Sequence, residues 1–329
     1  MLNILYLCDK NTYDTKMSRV RFHGMRAVGK RKDVNLVWSG PGWKGFNKNK
    51  SASKNIDNLY KGKKPDLVVA YKPLNLIKFR DLDIPKCLRY NEMYDVDWTN
   101  KEILDSRSNL IICHHENDMN YYKKSYFMKR IDHNLRFYNI PHAAEQVIYR
   151  DYGMPKKYDI LLAGAVFTKS LLGDHYPLRI RLARDILPKL SKNYKCNILK
   201  HPGGNLYNAA SDQNSFFYAQ QLSSAKICIT CSGQPRSRFG KYIEIPMCGT
   251  ALAADMPGEQ QDQFKEFMIE INMSMTDEEI INKLSYYLDN EEELNKITNK
   301  GMEYAKNHTQ EKYAESFVNI VKEFLEETK

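Results

Sequence analysis

No apolar run in this 329-residue chain approaches the roughly 18–20 residues that a membrane-crossing helix requires. The opening stretch, MLNILYLCDK, has too short an apolar run and no basic lead-in for a signal peptide. It reads as a buried first strand, and the expected location is the cytoplasm. The phosphate-binding fingerprint G-x-G-x-x-G does not follow that strand, which argues against a Rossmann dehydrogenase. Cysteine is sparse: Cys8, Cys87, Cys113, Cys196, Cys228, Cys231 and Cys248 are scattered, mostly in or beside apolar runs. Cys228 and Cys231 have CxxC spacing, but there is no second such pair and no paired histidines, so no zinc site is assigned. Reduced thiols fit better than a disulfide framework.

Acidic residues are scarce at the start. The first fifty residues hold 11 Lys/Arg against 3 Asp/Glu, and residues 1–150 hold 28 against 16, a balance of +12. The rest holds 22 against 24, or −2, which completes the overall +10. A basic first half fits an anionic partner: a glycan, a nucleic acid, or a phospholipid surface touched peripherally. Solubility charge on a lysine-rich chain is the plainer alternative.

What is present fits an α/β protein with two domains, since the length allows two cores. Short apolar runs at Leu2–Leu7, Val34–Trp38, Asp66–Ala70, Lys86–Tyr90 and Asn109–Cys113 recur every 20–30 residues, with helical stretches between them. That spacing predicts parallel strands joined by helices. Further strands are expected at Tyr158–Ala165, Cys196–Leu199, Ile227–Thr230 and Ala251–Ala254. After Asp255 the chain turns helical and acidic, and Thr276-Asp277-Glu278-Glu279 has the form of a capping box. In such sheets, ligands bind beyond the strand C-termini. In the first half those positions include Asp14, Tyr71-Lys72, Glu92 to Asp97, and His114-His115-Glu116. Ser39 to Ser53 reads as a surface loop whose Trp43 and Phe46 are suited to stacking on a base or sugar.

The densest signal is Gly233 to Thr250, GQPRSRFGKYIEIPMCGT, between two apolar runs. It reads as strand, loop, helix, strand. Arg236, Arg238 and Lys241 gather cations at a helix start, which suits a diphosphate. Glu244, one turn past Lys241, shares its face and can accept both hydroxyls of a ribose. A salt-bridged Lys/Glu pair on a surface helix is the other reading.

FGKYIEIPMCGTALAAD resembles the donor-binding segment of GT-B glycosyltransferases, in the group 1 and spore-maturation-protein-like branch. The resemblance runs best from about Phe137 to the C-terminus. It implies two Rossmann-like domains facing across a cleft, with the C-terminal helices packing back on the first. The expected domains are an acceptor-binding one over 1–153 and a nucleotide-sugar-binding one over 154–329. The resemblance puts the donor ribose on Glu244 and the diphosphate on Lys241 and Arg238, with Tyr242 in the same set. The Gly164 turn, Lys169, and Arg179 of the YPxR helix are carried over as donor contacts. So is His201, in a Lys-His-Pro segment after a strand. Many retaining members have a Glu eight residues before the ribose Glu; here that position is Arg236.

The implied activity moves a sugar from a UDP- or GDP-type donor to a hydroxyl acceptor, with no cofactor and no essential divalent metal. Asp95-Val96-Asp97 is a DxD triplet, which holds metal in GT-A enzymes, but it lies in the half away from the donor. Glu92, Asp95 and Asp14 are the candidate bases, chosen from their strand-end positions. The expected acceptor is a glycan. A DNA-modifying glucosyltransferase and a non-catalytic glycan- or nucleic-acid-binding protein on the same fold are the alternatives.

Overall fold

The computed structural model describes residues 1–15, 22–71, 79–125, 128, 134–166, 169–170, 173–199 and 212–328. Among these, the chain forms two compact units. Residues 1–141 and 310–328 make the first, and 142–309 make the second. The division falls ahead of the 153/154 boundary expected above, because Ala144, Ile148 and Tyr149 join the core of the second unit.

The first unit is a six-stranded parallel sheet. Its strands are β1 (Leu2–Leu7), β2 (Val34–Ser39), β3 (Leu67–Tyr71), β4 (Lys86–Tyr90), β5 (Leu110–Cys113) and β6 (Arg136–Asn139), in the order β2-β1-β3-β4-β5-β6. The apolar runs form these strands because both faces are covered: Leu5, Val68, Leu88 and Ile111 on one face and Ile4, Leu67, Cys87 and Leu110 on the other are fully buried. Each such side chain contributes roughly 1.5–3 kcal/mol relative to exposure. β6 is not among the strands expected from apolar runs: Arg136 is exposed and the other three residues are half-buried.

The last helix, Gln310–Glu327, belongs to this unit and packs on the helix His23–Gly29. The approach is close: a Cβ on Gly24 would lie 2.7 Å from the Tyr313 ring. The Tyr313 hydroxyl accepts a 2.7 Å bond from Nε of Arg89, whose guanidinium also lies over the Tyr313 ring. The helix therefore seals one face of the sheet that begins at β1.

The second unit has a five-stranded parallel sheet of β7 (Tyr158–Ala163), β10 (Cys196–Leu199), β11 (Ala225–Ile229), β12 (Ala251–Ala254) and β13 (Ile269–Glu270). Their order is β10-β7-β11-β12-β13. Between β7 and β10 lies a short antiparallel pair, β8 (Lys169–Ser170) and β9 (Gly173–Asp174). The capping box at Thr276 is present, with the Thr276 hydroxyl accepting from Glu279 N and the Glu279 carboxylate accepting from Thr276 N. Pro177 opens the helix that runs on, through a π turn over Leu182–Ile186, to Leu190. Pro fits there because the first helical N–H has no intrahelical partner.

Candidate functional site

The strand order of the second sheet reverses at β7: β10 adds on one side, and β11, β12 and β13 on the other. The C-terminal ends of β7 and β11 therefore diverge into a crevice, the place where parallel sheets bind ligands. Gly164 makes the turn out of β7 at φ +113, a conformation that side chains oppose. A Cβ there would also meet the Arg179 guanidinium at 2.5 Å. Glycine thus lets Arg179 lie across the strand end. Arg179 is only 2% exposed, and its side chain donates to Ala165 O and Cys231 O, both at 3.2 Å. Its guanidinium stacks 3.8 Å from the Tyr176 ring centroid, and its buried Nε has no hydrogen-bond partner. The arginine ties the two loops that flank the crevice and brings a positive charge to it.

The loop after β11 is held by its own backbone. Gln234 N donates to His175 O, Ser237 N to Ser232 O, and Gly258 N to Arg236 O, with Arg236 at φ +55. Ser232 donates through N and Oγ to Asp255, and the Tyr242 hydroxyl donates to the Asp255 carbonyl. Tyr242 is fully buried, so it fixes the loop from below. The helix Lys241–Met247 follows. Burial, and next the charge of Arg179, push the Lys241 ammonium below its usual range, while Glu244 pulls it back. Two cations thus share one crevice with, among the described residues, the Glu244 carboxylate near Lys241, an arrangement that favours a polyanion. Arg238 points elsewhere. Its guanidinium donates to His142 O (3.1 Å) and to the Tyr304 hydroxyl (3.4 Å), and it is fully buried.

Residues 200–319 match a protein family described as "Glycosyl transferase-like". HepE of Anabaena, solved with UDP and glucose, superposes over 98% of this chain and 100% of its own, with a TM-score of 0.62 at 10% identity. Sucrose-phosphate synthase of Thermosynechococcus elongatus covers 98% and 99%, with a TM-score of 0.61 at 11% identity. A glycosyltransferase of Rickettsia africae covers 98% of both chains, with a TM-score of 0.59 at 13% identity. No curated protein matches the sequence. The chain has the GT-B fold, and its second unit carries a glycosyl transferase-like segment.

The expected donor residues divide. Gly164, Arg179, Lys241 and Glu244 come together, Arg238 and Tyr242 brace the same loop from within, and Lys169 lies in β8. His201 lies outside the described residues. Sequence reasoning misses two neighbours of Glu244. After burial, the charge of Glu244 pushes the Tyr149 and Tyr218 phenols up, and the Tyr218 ring stands edge-on to Tyr149 at 6.4 Å. No local spacing reveals them, because both come from distant segments.

The three candidate bases lie in the first unit. Asp95 caps the helix Val96–Ser106 by accepting from Trp98 N, and Asp97 sits in that helix's first turn. Asp14 pairs with Lys10. Glu92 is half-buried beyond β4. Trp43 packs with Trp38 and Tyr13, with Lys10 near its ring, so this loop aromatic joins a cluster at the ends of β1 and β2. Among the described residues, no three His, Cys, Asp or Glu side chains gather as metal ligands, and no helix is long and apolar enough to cross a membrane.

Proposed function

We propose that the enzyme transfers a sugar from a nucleoside-diphosphate sugar, of uridine or guanosine type, to a hydroxyl of an anionic glycan. The observation that carries this reading is the meeting of Lys241 and Arg179 with Gly164 and Glu244 at the β7/β11 crevice. As the glycosidic bond to the donor phosphate breaks, negative charge grows on the leaving diphosphate. Lys241, with the field of Arg179 behind it, neutralises that charge in a partly dehydrated site, where such help is strongest. Glu244 accepts the ribose hydroxyls and sets the distance from sugar to cation. That HepE was solved with UDP and glucose supports the donor class.

For an inverting transfer a base must take the acceptor proton. We place it on Glu92: among the described residues its carboxylate neither caps a helix nor pairs with a lysine, unlike those of Asp95 and Asp14. No metal is needed in this reading, since the cations are side chains.

The test is a thermal-shift series with UDP, GDP and their sugar conjugates. One base type should raise the melting temperature, by mass action equivalent to about 2.7 kcal/mol at a hundredfold excess over Kd. Glu92→Gln should keep that shift and lose turnover, whereas Glu244→Gln should lose the shift. Indifference to every nucleotide would overturn the reading.

A further inference from the structure

Trp98, in the first unit, is 57% exposed, although folded chains bury most of the surface of a tryptophan. Trp38 and Trp43 are half-buried. Trp98 lies in the first turn of the helix Val96–Ser106, which starts beyond the C-terminal end of β4. Its ring is exposed but held. Nε1 donates a 2.6 Å bond to Oε1 of Glu102, one turn further along the helix. Glu102 is only 6% exposed, and its Oε2 accepts a 2.8 Å bond from the buried Tyr90 hydroxyl at the end of β4. The Trp98 backbone N–H donates to Asp95. Burying a carboxylate costs free energy unless donors meet it. Here the buried carboxylate fixes the edge of an indole that is itself largely in solvent.

The same segment carries Glu92. Between the two, Met93 is fully buried and its N–H donates to Asp118 Oδ2 at 3.3 Å, which anchors the stretch to the interior of the unit. Charge at this helix start is negative, against the trend of the basic half. Asp95 and Asp97 are exposed just before Trp98, and Lys101, on its face, is paired with Asp105. The two aspartates already meet the positive end of the helix, so the place does not suit an anion. An aromatic face beside exposed carboxylates suits a neutral pyranose. The weakly positive C–H bonds of the sugar pack on the electron-rich indole, and its hydroxyls donate to the carboxylates. Resting on the reading that the first unit binds the acceptor, we propose that Trp98 is the stacking platform for a neutral sugar ring of that acceptor. Glu102 and Tyr90 are positioning residues that hold the plane of the indole. The anionic groups of the acceptor then lie on other residues than this ring. A side chain held before the ligand arrives lowers the ordering cost of binding.

The test is an array of defined oligosaccharides, ending in a neutral hexose or in a uronic acid, probed with the full chain. Wild type should bind members that end in a neutral hexose. The best of these, titrated in solution, should change the tryptophan fluorescence. Trp98→Ala should weaken its binding by at least about tenfold, and Trp98→Phe, which keeps a ring but loses the tether, by about threefold. Glu102→Gln should keep the affinity, since its amide oxygen still accepts the indole N–H. Glu102→Leu should lower it about threefold. Melting curves check that each variant is folded; should Glu102→Leu fail to fold, Trp98→Phe reads the tether on its own. Equal affinity of wild type and Trp98→Ala overturns the platform, as does binding confined to uronate-ended members or to none. If Glu102→Leu folds and binds as wild type does, the positioning role falls. The nucleotide thermal shift is read in parallel. Glycan binding that depends on Trp98, without any response to nucleotide, sinks the transferase reading and leaves the platform standing. A nucleotide response without glycan binding does the reverse.

Discussion

At the scale of single residues, the candidate site depends on what is missing from Gly164. Its φ of +113 and the 2.5 Å approach of Arg179 leave no place for a methyl group. Gly164→Ala should destabilise the protein by about 1–3 kcal/mol through backbone strain and displacement of the arginine. A fall of several degrees in melting temperature, with weaker nucleotide binding, would show it; an unchanged melt would mean that the loop yields freely. The motif around Lys241 and Glu244 was legible in sequence because helical spacing alone puts the two on one face. The inward turn of Arg238 was not, because a loop with Arg236 in the left-handed region carries no periodicity from which to read a direction. Tyr149 and Tyr218 stayed hidden for a similar reason: only the folded chain brings them to Glu244.

At the scale of elements, the apolar runs announced their strands wherever both faces were buried, as in β1, β3, β5, β7, β11 and β12. Edge strands were harder. β13 is two residues long, and β6 has no apolar run, so neither produces the signal that a buried strand does. The helix Glu291–Lys306 was readable, but the role of its C-terminal end was not. There the His308 ring packs against Tyr304, with centroids 4.5 Å apart and planes tilted by 50°, near the buried Arg238. Burial, and then that positive charge, hold its imidazole down at about 4. In the unfolded chain the ring titrates near 6.5. Between those values the unfolded state binds more protons, so stability falls as pH falls from about 6.5 toward 4 and is fully present above that range. The contribution is roughly 2–3 kcal/mol at most. His308→Gln should flatten this part of the melting-temperature profile; a slope identical to wild type would assign the acid sensitivity to other groups.

At the scale of the whole molecule, charge is divided unevenly, +12 in residues 1–150 against −2 in the remainder. A basic acceptor-binding half should respond to salt, because attraction between charged partners is screened within about 8 Å at physiological ionic strength. The acceptor KM should rise with added salt while the donor KM changes less. Equal responses would reduce the basic half to solubility charge. The path of the chain has its own consequence. The first unit is sealed by Tyr313 and its helix, which lie beyond the entire second unit in sequence. On the ribosome, then, the first sheet emerges ahead of the second unit and is completed only after it. Until the helix Gln310–Glu327 is made, the surface around Gly24 and Arg89 waits without its cover, while the described strands of the second unit are already in place.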